Sequence, residues 1–80
     1  MYRVVLHNDD YTTMEFVLDV LESVFHKTHD EAHRLTLQIH QQGSAQCGMY
    51  TYEIAETKVA QVHDLAQQSG FPLRASLEEE

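Results

Sequence analysis

Basic residues are scarce in this chain. Five Lys and Arg stand against thirteen Asp and Glu, for a formal net charge of −8. Nucleic acid and anionic membrane surfaces need a basic face, so neither is expected as a partner. A cationic ligand or a basic partner suits the charge. Cysteine occurs once, at Cys47, which excludes an internal disulfide framework and fits a reducing cytosol or an organelle matrix. No apolar run approaches the roughly 20 residues of a membrane span, and no signal peptide is visible. The chain also lacks a nucleotide-binding Gly-rich loop, a nucleophile triad, internal repeats and low-complexity tracts. What remains is 80 residues of ordinary apolar content, 42%. That is enough for one small folded domain, residues 1–80, with one modest core.

The densest chemistry lies in Leu6-His7-Asn8-Asp9-Asp10-Tyr11-Thr12-Thr13-Met14-Glu15-Phe16-Val17. Tyr2 to Leu6 is apolar and partly β-branched, which predicts a strand. Asn8-Asp9-Asp10 stops it, because Asn and Asp bond locally to backbone. Thr12 has Glu15 three residues on, the capping-box spacing, and predicts a helix start. Three polar acceptors thus sit beside apolar Met14 and Val17. Such a corner is either a plain capped turn or a receptor for a cation attached to something greasy. The local pattern leaves both open.

Downstream, Val17, Val20, Leu21, Val24 and Phe25 form an apolar stripe and predict a helix from about Thr13 to Phe25. His26-Lys27 can place positive charge at its end. Thr28 and Glu31 repeat the capping-box spacing and open a second helix, about Asp30 to Gln42, which buries Ala32, Leu35 and Ile39 and stops at Gly43. Ala45 to Thr51 reads as a strand, with Gly48 as a bulge or close approach. A third helix follows, about Glu53 to Ser69, on Ala55, Val59, Val62 and Ala66. Gly70 and Pro72 end it. Leu73 to Leu77 is a last short strand, and residues 78–80 are a solvated acidic end. The expected fold is a small α+β sandwich, order β-α-α-β-α-β, with a three-stranded antiparallel sheet packed by three helices.

Two motifs carry a resemblance. Asn8-Asp9-Asp10-Tyr11-Thr12 with Met14-Glu15-Phe16-Val17, and Ala55-Glu56-Thr57-Lys58-Val59-Ala60, are similar to the signatures of the ClpS family. His40, Gly43, Cys47-Gly48 and Pro72-Leu73 fall at the family's positions. The resemblance covers Tyr2 to Glu78 and implies the same fold. ClpS proteins are adaptors of bacterial and organellar Clp proteases that recognise N-degrons. These are polypeptides whose N-terminus is free and whose first side chain is large and apolar, usually Leu, Phe, Tyr or Trp. The family's flexible N-terminal extension is not present here, so the sequence reads as a trimmed core.

The resemblance implies an α-amino site at Asn8, Asp9 and His40, and a side-chain pocket from Asp10, Thr12, Met14, Val17, Thr36 and Leu73. The residue chemistry suits both tasks. Burying an α-ammonium unpaired is costly, and charge-assisted hydrogen bonds to it are worth about 1.5–3 kcal/mol each. Filling an apolar hole adds roughly 1.5–3 kcal/mol per large side chain. Glu53, Glu56 and Lys58 match positions that contact the N-terminal domain of a ClpA-type unfoldase. Otherwise they are an ordinary charged helix face. The resemblance further implies a monomer without cofactor or catalytic residues, working in the cytoplasm or an organelle matrix.

Two departures stand out. Thr36 occupies a position where the family usually has Met, which predicts an altered side-chain preference. Thr13 replaces a frequent Pro at the helix start. Three rival readings come with weaker signals. The chain could dock on the unfoldase without reading degrons. Asp9, Asp10 and His40 could form a small metal-assisted hydrolytic site. His29 and His33, four apart, have metal-ligand spacing, but no Cys or acid cluster completes the set. Cys47 has no obvious base beside it and reads as an inert buried thiol.

Overall fold

Val4, Val5 and Leu6 are all buried, because the strand that carries them is central. The computed structural model describes all residues, Met1–Glu80. Strand β1 (Tyr2–His7) lies between β2 (Ser44–Tyr50) and β3 (Arg74–Glu79), antiparallel to both. Helices α1 (Met14–Ser23), α2 (His29–Gln42) and α3 (Tyr52–Ser69) complete the expected order. Alternation along β1 sends Val4 and Leu6 into the core, opposite Leu77 and Ala75 of β3. Arg3, Val5 and His7 take the other face. There Arg3 Nε lies 4.0 Å from the Glu78 carboxylate and His7 Nε2 lies 2.7 Å from Ser76 Oγ. A half-solvated antiparallel sheet with this polar rim follows. Leu6, Leu21 and Ile39 are buried almost completely, each worth about 1.5–3 kcal/mol of apolar transfer.

The bulge and the close approach, offered as alternatives for Gly48, both occur, on neighbouring residues. The β1–β2 register shifts between Val4 and Val5, so Cys47 is the extra residue of a bulge. A Cβ on Gly48 would also overlap the Tyr50 ring, which lies directly against it. Cys47 is 1% exposed, and burial pushes its thiol up to about 12.

Boundaries differ where side chains compete for backbone. The cap of α1 is Thr13 and not Thr12: Phe16 N donates to Thr13 Oγ1 at 3.1 Å. Thr12 is unavailable because its hydroxyl donates to Asp9 Oδ2 at 2.7 Å. The residue standing in for Pro is therefore the one that starts the helix. At the far end α1 stops two residues before Phe25. His26 adopts a left-handed φ of 55°, the conformation that commonly ends a helix, and Lys27 N donates back to Leu21 O at 3.1 Å. The acidic end is not a free tail. Glu78 and Glu79 are strand residues paired with Arg3 and Tyr2, and Tyr2 Oη donates to Glu79 at 3.2 Å.

Candidate functional site

The corner after β1 is shaped by one carboxylate. Asp9 Oδ1 accepts from Tyr11 N at 2.8 Å and from Thr12 N at 2.7 Å, while Oδ2 accepts from Thr12 Oγ1. Burial pushes this carboxyl up. The hydrogen bonds from Thr12 and Tyr11 outweigh that and hold it below the usual carboxylate value. Asp9 is thus ionised at neutral pH, with most of its acceptor capacity spent on the turn. Its charge and one side of Oδ2 stay available to a ligand.

A second contact fixes where the corner points. Asn8 N donates to Gly43 O at 2.9 Å. Gly43 ends α2 in a left-handed conformation, φ 93°, which an L side chain adopts only with strain. The end of β1 is thereby clamped to the end of α2, one turn from His40.

Between them lies a hollow of about 210 Å³, lined by Asn8, Asp9, Asp10, Thr12, Met14, Val17, Thr36, Ile39 and His40. Eight of the nine pocket and amine positions implied by the resemblance converge here. Leu73 does not line the hollow: it is 3% exposed and packed in the core. Ile39 was read only as a buried residue, yet it lines the hollow. Its spacing offered the signal, since Thr36, Ile39 and His40 share one helix face at i, i+3 and i+4. Asn8, Asp9, Asp10, Thr12 and His40 supply its polar groups. Met14, Val17 and Ile39 supply the apolar wall. Thr36 is 4% exposed, and its hydroxyl donates to Ala32 O at 2.8 Å within its own helix. It therefore offers the hollow mainly its methyl group.

The α3 residues face elsewhere. Glu53 and Glu56 are exposed, beside Tyr52 and Ile54, each 49% exposed. Tyr52 Oη donates to Glu56 at 3.1 Å. Lys58 is half-buried, and its Nζ donates to Val24 O at 2.7 Å.

A family model described as "ATP-dependent Clp protease adaptor protein ClpS" matches residues 1–76. The chain belongs to the ClpS family. Curated ClpS adapter proteins agree along its length. That of Nitratidesulfovibrio vulgaris (strain Miyazaki F) is 60% identical, over 99% of this chain and 79% of its own. That of Desulforapulum autotrophicum is 59% identical, over 100% of this chain and 77% of its own. Among solved structures, Agrobacterium tumefaciens ClpS2 bound to L-phenylalaninamide matches with a TM-score of 0.95 and 43% identity, covering 99% of this chain and 95% of that one. ClpS is an adaptor family and not itself a protease, so Asp9 and His40 need no hydrolytic role. No helix is long and apolar enough to cross a membrane.

Proposed function

We propose that this ClpS protein captures N-degron substrates in the hollow and delivers them to a ClpA-type unfoldase. The α-ammonium is held by the Asn8 amide oxygen, the Asp9 charge and the His40 ring, and the bulky first side chain (Leu, Phe, Tyr or Trp) enters between Met14, Val17, Thr36 and Ile39. Asp10 and Thr12 complete the rim, and Leu73 supports the wall from within the core. The observation that carries this reading is the meeting of polar acceptors and an apolar wall around one hollow. L-phenylalaninamide, the ligand of the similar ClpS2, has the matching groups: a free α-amine, a benzyl side chain, and an amide where a polypeptide would continue. Neither half is strong alone, so affinity requires both.

Glu53 and Glu56, with Tyr52 and Ile54 beside them, form the face that meets the N-terminal domain of the unfoldase. An acidic rim around exposed apolar side chains suits a partner with basic groups. The adaptor acts as a monomer in the cytoplasm, and the unfoldase and its protease do the unfolding and cleavage.

Fluorescence anisotropy with a short labelled peptide beginning in Phe tests the reading. Tight binding is expected for the free end, and loss of it when the amine is acetylated or Phe is replaced by Ala. Equal binding of the acetylated peptide would overturn amine recognition. Binding of the unfoldase without any free-amine peptide would leave a docking module only.

A further inference from the structure

The hollow has a neighbour. A second depression of about 170 Å³ lies in the same α1–α2 groove, lined by Met14, Glu15, Leu18, His33 and Thr36. Met14 and Thr36 line both, so the two spaces adjoin across a wall formed by these two side chains. Half of that wall is fixed, because the Thr36 hydroxyl is bonded to Ala32 O. The other half, Met14, is 42% exposed and has an unbranched, adaptable side chain.

The direction of a bound polypeptide follows from the order of these groups along α2. The amine acceptors include His40, at the C-terminal end of the helix. The second depression is at the level of Thr36 and His33, four and seven residues earlier. At 1.5 Å per residue that is about 6–10 Å along the axis. On the opposite side the Asn8–Gly43 clamp joins the end of β1 to the end of α2, and no second depression adjoins the hollow there. A chain leaving the amine site therefore runs over the Met14–Thr36 wall. An extended polypeptide advances roughly 3.3 Å per residue and turns alternate side chains to the same face. The third side chain points the same way as the first and lies about 6.6 Å further on.

We propose that the Met14–Leu18–His33–Thr36 depression is a subsite for an apolar side chain at the third position of the bound polypeptide. Glu15 at its rim, with Asp9 and Asp10 nearby in the chain, disfavours an acidic one there. This rests on the amine-and-side-chain reading of the main hollow. It makes the adaptor a reader of positions one and three, with position two facing solvent.

Three labelled peptides that differ only in their opening residues test it: Phe-Gly-Leu, Phe-Leu-Gly and Phe-Gly-Gly. Phe-Gly-Leu is expected to bind roughly five- to tenfold tighter than Phe-Gly-Gly, the effect of half-burying one Leu side chain, and Phe-Leu-Gly to match Phe-Gly-Gly. In Leu18→Gln, and separately in the exposed His33→Glu, that gain should shrink while Phe-Gly-Gly binds as before. Equal binding of all three peptides, or a gain at position two instead, overturns the subsite and leaves the main site standing. A gain that survives both substitutions also overturns it. If Phe-Gly-Gly itself fails to bind, the main reading and the subsite fall together.

Discussion

Lys58 Nζ donates to the Val24 carbonyl at 2.7 Å, tying the middle of α3 to the end of α1. Sequence motif alone assigns Lys58 to the docking face. The structure gives it a second task, because that carbonyl lies at the end of a helix that stops short. A half-buried, charge-assisted bond of this kind contributes about 1–2 kcal/mol. Lys58→Glu should therefore lower stability as well as unfoldase binding, measured by urea unfolding and anisotropy. Glu53→Lys separates the two. It should weaken unfoldase binding and leave peptide affinity unchanged, with only the small loss of stability that reversing a first-turn charge of α3 brings. Loss of peptide affinity in Glu53→Lys would show that the two surfaces are not independent.

Thr36 lines the hollow. Thr36→Met adds volume where only a methyl group now faces the ligand, so it should penalise Trp-initiated peptides more than Leu-initiated ones. The ratio of the two affinities is the readout. A ratio unchanged from wild type would remove Thr36 from the specificity argument. Thr36→Val keeps the shape and removes a hydroxyl that bonds only to its own helix, so that ratio should stay constant.

Asp9 links the site to pH. Its folded carboxyl titrates below the ordinary value. A depressed folded value means that its stabilising contribution is complete above the unfolded value. The contribution is lost as pH falls through the folded one. The stability that the Asn8–Thr12 corner gains from Asp9 should hold from neutral pH down to about pH 5 and then decline. In Asp9→Asn that acid-induced decline should be blunted, as measured by unfolding between pH 6 and 3. An identical acid profile in the variant would mean that other carboxylates govern it.

His26 carries the one left-handed backbone among the non-glycine residues. Its side chain is exposed, and glycine is the residue such a helix stop favours. His26→Gly should raise stability by roughly 0.5–1 kcal/mol, the strain relieved less the added freedom of the unfolded chain. A lower midpoint of thermal unfolding would indicate that the imidazole helps the end of α1 in a way its contacts do not reveal.

The order and type of all six elements could be read from apolar spacing, since Val17, Val20 and Leu21, or Ala55, Val62 and Ala66, can share a face only in a helix. Three things were less visible. The start of α1 depended on which of two adjacent threonines Asp9 would occupy, a contest between side chains that residue type does not decide. The end of α1 depended on His26 tolerating a conformation that glycine usually takes. Leu73 and Ile39 exchanged places as pocket lining, because whether a buried apolar residue borders a hollow or the core is set by packing across the fold. That Asn8, Asp9 and His40 border one hollow was legible through the family resemblance, and the shape of the hollow was not.

The bond from Asn8 N to Gly43 O joins two segments that the chain keeps thirty-five residues apart. Residues 8–17 form a turn and a helix start that any fragment could carry, yet such a fragment would hold only half a receptor. His40, Thr36 and Ile39 arrive with α2, and β2 must pair with β1 to bring Gly43 alongside. On the proposed function, recognition would in this sense be a report on the folded domain. A molecule nicked or locally melted between α2 and β2 would retain the whole signature in its covalent sequence and lose the hollow itself.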